Sequence, residues 1–386
     1  MPATDPPAEQ ALVAAQADLD AGRFQATLQV ARAFDHDSVP PAERTEAVRL
    51  RTQAAFRLGE LGEAADAAQA LLDRLGGQAP TYPGRIRVLA VSVVAAAELA
   101  RYEQALGHLQ QMLSAAARSS LEDYVRARGT AATCFALLGD PWAGQRLLSE
   151  LLGLFQGLPS EAALEGVARN NHTGVCMLVA RLARDAGDAA ACAQALEHAE
   201  ASLERSRELV TLTGDPRLGA FVDVHASEAM LLRGHAVAAI EPLKAAADHA
   251  ADAGLPAHTR QLCVLLAEAC LSAGEPERAL QLLRDVATTL RDGHELSLRI
   301  RCRQLLHAAL ATTGQFELAL AQAAQARTLE QYRLYHQLHT QSRFLRMRLE
   351  LEHLYRYRAS TSQGVTSRPG ALTMPAGLDT TGPPRG

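Results

Sequence analysis

A short turn motif returns eight times along this chain of 386 residues, and it constrains the fold more than any other feature. In the stretch LSAGEPERALQLL at 271–283, a helix ends at a glycine and a new helix opens with an Ala-Leu pair. Helices often end in the left-handed conformation, which glycine adopts readily. The equivalent turn residues, spaced 37 to 48 residues apart, are Gly22, Gly59, Ala100, Gly139, Gly187, Gly234, Gly274 and Gly314.

Small and apolar residues occupy fixed positions around each turn residue. Five residues after it every side chain is small, and the positions nine and twelve after it are apolar in every repeat. These offsets lie on one face of the second helix, which should be buried. A single hairpin cannot bury both of its apolar faces, so we expect the hairpins to stack into one array.

Composition favours helices and argues against several functional classes. Only 4% of the residues are aromatic, and alanine and leucine dominate, as is typical of helical proteins. The net charge of −5 provides no general attraction for nucleic acid, so we do not expect nucleic acid as a partner. The only lysine, Lys244, fits no nucleotide-binding or Ser-x-x-Lys motif, and no catalytic serine, zinc or phosphate-loop motif occurs. We therefore expect a protein that is not an enzyme and has no cofactor.

Three further features predict a cytoplasmic protein without a membrane segment. The six cysteines contain no Cys-x-x-Cys pair, so we expect free thiols and no metal site. The N-terminal stretch lacks the pattern of a secretory signal. The longest apolar run, at 88–97, is half the length that a membrane-spanning helix needs.

The repeat resembles the tetratricopeptide repeat (TPR), with a small residue in the first helix, glycine at the turn, an aromatic residue or proline two later, and alanine three further on. The period near 40 resembles the long-repeat TPR arrays of MalT-like regulators and of diguanylate cyclase signalling proteins, although no GGDEF motif follows. The resemblance implies an all-α fold: a right-handed α-solenoid superhelix of about eight TPR-like hairpins with a long C-terminal helix. It also implies a bacterial protein with a concave groove lined by first helices.

The sequence divides into four predicted segments. Residues 1–7 should be disordered, 8–328 form the repeat array, 329–359 form a long helix that lacks glycine and proline, and 360–386 form a disordered tail. Within the long helix, one stripe at helical spacing could pair two copies of the chain as a short coiled coil. Its residues are Phe344, Met347, Leu351 and Leu354.

Three polar groups allow more than one interpretation. His336 and His339 could share a metal, but no third ligand lies on their face, which favours an ordinary surface pair. The Asn170, Asn171 and His172 group could bind a ligand or join helices by hydrogen bonds. The basic residues of 339–358 could contact nucleic acid or an acidic partner, or simply face solvent.

The TPR resemblance places a set of polar residues in the groove. Three of them are arginines in one column, which suggests recognition of carboxylates in an acidic peptide or chain terminus; pairing with glutamates of neighbouring repeats is the alternative. We predict a scaffold or adaptor that binds a partner peptide or helix in bacterial signalling, or alternatively the sensor module of a transcriptional system that binds a small effector. The predicted groove residues are Arg87, Arg126, Gln261, Glu268, Arg301 and Gln304.

Overall fold

The computed structural model describes residues 8–76, 84–116, 119–155 and 162–362, with side chains as far as Leu351. Within these residues every regular element is helical, which confirms the all-α repeat fold, and no helix is long and apolar enough to span a membrane. The predictions for 1–7 and for the tail beyond Ser362 fall outside the described residues. The helices are α1 (Ala8–Asp20), α2 (Phe24–Ala33), α3 (Pro41–Leu58), α4 (Leu61–Leu75), α5 (Arg85–Glu98), α6 (Tyr102–Ala116), α7 (Leu121–Leu137), α8 (Pro141–Phe155), α9 (Ala162–Asp185), α10 (Ala189–Thr213), α11 (Pro216–Leu232), α12 (Ala236–Asp252), α13 (Pro256–Ser272), α14 (Pro276–Thr289), α15 (Leu296–Thr312) and α16 (Phe316–Ser362).

Consecutive helices pair into eight hairpins, numbered 1 (α1–α2) to 8 (α15–α16). All eight turn residues have the left-handed backbone that the sequence predicts, including Ala100 with a φ of 58°. The next amide then closes the end of the first helix, as where Glu60 N donates to Ala55 O over 2.9 Å. This is the 6→1 hydrogen bond of a Schellman cap, and it explains why the motif recurs.

The repeat columns form the contact between the two helices of each hairpin. At Gly144 an added Cβ would lie 2.5 Å from the Ala132 carbonyl oxygen, so this position has to stay small. The column of small residues is buried in all eight hairpins: Thr27, Ala64, Ala105, Gly144, Cys192, Ala239, Ala279 and Ala319.

The chain divides into two compact units inside α16, Met1–Gln341 and Ser342–Gly386. The helix is continuous from the last hairpin to Ser362, past the predicted end at 359. In the second unit Phe344, Met347 and Leu351 are 5–7% exposed, and the side chain of Leu354 is outside the described part. Pairing of two copies through these residues stays a prediction.

Within the first unit, the turns of hairpins 1 to 4 contact elements about five hairpins further along the chain. In hairpin 1 the Phe24 ring lies 5.9 Å from the Arg217 guanidinium of α11. The turns of hairpins 3 and 4 meet α15 and α16 through Ser297 and Gln337, whose polar atoms donate to Glu98 Oε2 and Leu137 O over 3.3 Å each. We call these interactions the closure contacts.

Hairpin 2 makes the tightest of the closure contacts. The Gly62 amide donates to Gly293 O over 2.9 Å, and Arg260 Nη2 donates to Leu58 O over 3.4 Å. The His294 Nε2 atom lies 3.3 Å from Glu60 Oε2. One apolar core then runs from the first two hairpins into α11–α16, so the array packs against itself.

A pair of carboxylates at the closure contacts should make stability depend on pH. Burial and then the charge of Glu295 raise the pKa of Glu98 to about 7, and burial raises the pKa of Glu295. Since the folded chain holds these protons more tightly than the unfolded chain, stability should fall as the pH rises from about 4.5 to 7. We expect Glu98→Gln to reduce this loss of melting temperature between pH 5 and pH 8.

The exposed Glu277 of α14 provides the control for this titration. Its Glu277→Gln variant should show the same pH dependence of the melting temperature as the original chain. If Glu98→Gln and the original chain show the same pH dependence of the melting temperature, the Glu98 carboxyl does not contribute to the effect.

Candidate functional site

Side chains from hairpins that are not neighbours in the chain meet on one face of the first helices. Arg181 of α9 lies 3.5 Å from Glu268 of α13, although α11 comes between them in the array. Both residues are six positions before their turn residues, where the groove was predicted. Side chains of hairpins 5 and 7 can reach each other only if this face is concave, so we refer to it as the inner face.

The predicted arginine column does not form a single site. Arg87 and Arg126 share Glu122, with nitrogen–oxygen distances of 2.9 and 2.8 Å. Arg301 instead pairs with Glu268, one hairpin back. Arg87 and Arg301 therefore bridge to the first helix of an adjacent hairpin, which was the alternative interpretation of the column.

Of the two predicted glutamines, Gln261 belongs to the same column as the arginines and Gln304 lies one helical turn further along. Gln304 is exposed, and its Nε2 donates to Glu330 Oε1 of α16 over 2.6 Å. Gln261 is half-buried on α13. These observations identify no ligand for either glutamine.

A second group of arginines converges on the inner face, and sequence reasoning singled out only Arg126 among them. Burial, followed by the charge of Arg217 and more weakly that of Arg126, lowers the pKa of Arg57 to about 10, although Asp215 opposes the shift. Arg217 donates to both Asp215 oxygens, over 2.9 and 2.8 Å. Among the described residues Arg57 has no hydrogen-bond or ion-pair partner. The charges of Arg217 in hairpin 6 and Arg126 in hairpin 4 thus act on Arg57 in hairpin 2.

An aromatic side chain and two histidines adjoin these arginines. His258 of α13 packs edge-on against Phe221 of α11, with ring centroids 4.4 Å apart. Its side chain is 7% exposed, and neither ring nitrogen has a hydrogen-bond partner in the described structure. Burial, and then the charges of Arg57, His225 and Arg217, lower the pKa of His258 to about 4. The ring is therefore neutral at pH 7.

Next to this group, a charge network joins four hairpins. Arg181 Nη2 and Nε both bind Glu228 Oε1, while its Nη1 reaches Glu268. Glu268 also accepts from Arg301, yet its Oε2 has no hydrogen-bond partner. Burial opposes ionisation of Glu268, but the charges of Arg181 and Arg301 prevail and lower its pKa. The network fixes the inner face of hairpins 5 to 8.

The three histidines among the other polar candidates have structural partners, whereas the buried Asn170 Oδ1 has no hydrogen-bond partner in the described structure. His172 lies between Ser149 Oγ and Ser202 Oγ, at 3.1 and 2.8 Å, and so joins α8, α9 and α10 as the hydrogen-bonding interpretation proposed. His336 and His339 pack against tyrosine rings of α16. In the described ranges no three His, Cys, Asp or Glu side chains form a metal-binding group, and the six cysteines are free.

Comparison with known proteins gives similarity in fold only. No family model matches the sequence, and no curated protein matches it. The structure is similar to that of a Rap protein complexed with Competence and Sporulation Factor, with a TM-score of 0.50, 11% identity, and coverage of 90% of this chain and 98% of that one. It is also similar to a tetratricopeptide repeat protein from Parabacteroides merdae, with a TM-score of 0.43, 14% identity, and coverage of 78% and 98%.

The repeat columns, the left-handed turns and the similarity to the Rap protein structure agree. The chain has a TPR-like fold. Its first helices supply the inner face, as in the array that the sequence predicted. The resemblance to MalT-like regulators and diguanylate cyclase proteins stays a prediction.

The TPR-like array also explains which residues the sequence analysis missed. Arg57 is two positions before its turn residue and Arg217 is seventeen before its own. Both lie on the stripe of the predicted groove positions, so extending that stripe by one helical turn in each direction would have found them.

Proposed function

We propose that this TPR-like protein is a non-catalytic binding module that holds an acidic segment of a partner protein or peptide on its inner face. The observation that supports this most directly is Arg57, which has no ion-pair partner among the described residues and feels the charges of Arg217 and Arg126 from two other hairpins. Arginine is suited to such recognition because its planar fork donates two parallel hydrogen bonds to a carboxylate. Through such binding the protein would act as a scaffold or adaptor in signalling or regulation.

Two features of the inner face support a peptide as the ligand. Phe221 provides an apolar and aromatic surface beside the arginines. The alternating charges of Arg181, Glu228, Glu268 and Arg301 continue along the face, so an extended ligand would meet several polar groups in succession. Two cavities of about 320 and 460 Å³ lie elsewhere, at α14–α16 and at α9–α12, and they are separate from this surface.

The proposal predicts charge-selective peptide binding. We would measure fluorescence anisotropy with labelled ten-residue peptides rich in Asp and Glu, and with matched peptides carrying Asn and Gln. The acidic peptides should bind, with an affinity that falls as salt is raised. An Arg126→Gln, Phe221→Ala double variant should bind them at least tenfold more weakly, since it removes one charge and one aromatic contact, each worth about 1 kcal/mol.

The matched control is Arg278→Gln, Val237→Ala on the outer second helices, where Val237 is 73% exposed and Arg278 is exposed. It should bind the acidic peptides as the original chain does. Equal binding of acidic and amide peptides, or equal loss in both double variants, would contradict the proposal. Failure of both kinds of peptide to bind would favour the alternative of a sensor for a small effector.

A further inference from the structure

We propose that Arg57, Arg217 and His258 form a binding site for one oxyanion of the ligand, a phosphoryl or carboxylate group. This inference rests on the proposed function, which it makes specific to a site and to a chemical class. The three residues come from hairpins 2, 6 and 7, so the site exists only where the closure contacts bring distant hairpins together.

The charges around the site favour an anion. Arg57, Arg87, Arg126 and Arg217 carry four positive charges, whereas Glu122 and Asp215 supply two negative ones. Glu122 neutralises one of its two arginines, and Asp215 neutralises Arg217. One of the two excess charges is Arg57 itself, whose guanidinium has no carboxylate partner among the described residues, and the other is shared by Arg87 and Arg126. A half-buried cation without a partner is costly, and a bound anion would relieve that cost.

Unsatisfied hydrogen-bonding groups give a second, independent indication of a ligand. Both ring nitrogens of His258 are buried and have no hydrogen-bond partner in the described residues. Buried polar groups in native proteins nearly always have a partner, so this side chain is unusual. Contacts place His258 among the same residues. Its ring packs against Phe221, one helical turn after Arg217, and Arg260 of the same helix donates to the carbonyl of Leu58, the neighbour of Arg57. A neutral imidazole carries one N–H donor, which an oxyanion could accept.

The donors and charges of the three side chains predict how the oxyanion would be held. Arg57 would supply the fork of N–H donors and His258 a single N–H, while Arg217 keeps its two bonds to Asp215 and adds electrostatic attraction. An excess of two charges suits a dianion better than a monoanion. We therefore expect a phosphoryl group to bind more tightly than a carboxylate, by tenfold or more.

Inorganic phosphate and acetate are the two probes of the test, applied to the full chain at pH 7 and constant ionic strength. Phosphate should raise the melting temperature in a saturable way, and calorimetry should give one site per chain. The affinity for phosphate should fall at least tenfold in Arg57→Met and in His258→Leu. The control variant, Arg278→Met, should bind phosphate like the original chain, because Arg278 is exposed and pairs with Glu275 on the surface.

Stability without phosphate is the second readout. Arg57→Met should melt at a higher temperature than the original chain, because it removes a positive charge that has no partner. No saturable phosphate effect, or the same effect in Arg57→Met and the original chain, would overturn the site. Tighter binding of acetate than of phosphate would overturn the dianion preference. Acidic peptides could still bind to the inner face after either of these results. Failure of the oxyanion site can therefore be distinguished from failure of the proposed function.

Discussion

Gly59→Ala should destabilise the chain by about 2–4 kcal/mol. The left-handed φ of 76° accounts for about 1 kcal/mol of this loss. The added methyl would also lie 2.7 Å from both Ala257 Cβ and Arg260 Nη2, and such crowding costs about 1–3 kcal/mol. Urea unfolding, followed by circular dichroism, would measure the change in free energy.

Gly274→Ala is the matched control. This glycine has the same role in hairpin 7 and a φ of 82°, but an added Cβ would meet nothing within 4 Å. It should therefore lose only about 1 kcal/mol. Equal losses in the two variants would mean that the closure contact at hairpin 2 does not contribute to stability.

Glu268→Gln should destabilise the chain by about 3 kcal/mol, because it leaves Arg301 and part of the Arg181 charge without a partner in a buried network. The Glu268 side chain is 10% exposed. Since its pKa is lowered in the folded chain, its contribution is present above about pH 4.5 and is lost as the pH falls through the folded pKa. Urea unfolding at pH 7 and at pH 4 would measure both effects.

Glu275→Gln is the comparison for the network, because the Glu275–Arg278 pair is on the surface, with side chains 44% and 42% exposed. Surface pairs contribute less than about 1 kcal/mol. If the two glutamine variants lose the same stability, the buried network is no stronger than an exposed ion pair.

Local features of the fold could be predicted from the sequence because they depend on neighbouring residues. The left-handed turn is such a feature: it needs only a helix end and a residue such as Gly59, and the small-residue column needs only two helices in contact. The columns around Ala100 identify it as a turn residue although it is not a glycine, and its backbone is left-handed as expected.

The candidate site could be predicted only in part, because it depends on which hairpins meet. The meeting of Arg57 with Arg217 and His258 follows from the closure contacts, and these depend on the rotation between successive hairpins. That rotation is set by small differences in packing angle, which no column of the sequence records. Arg126 was predicted on the inner face by its register, whereas its neighbours in space were not.

The closure contacts also bear on how this chain should fold. An open repeat array has only contacts between neighbouring hairpins, so its parts can fold and unfold nearly independently. Here Glu60 and His294 interact although they are 234 positions apart in sequence, and such separation raises contact order and slows folding. Hairpins 1 to 4 and 6 to 8 should accordingly unfold as one cooperative unit, so that the array behaves thermodynamically like a globular domain.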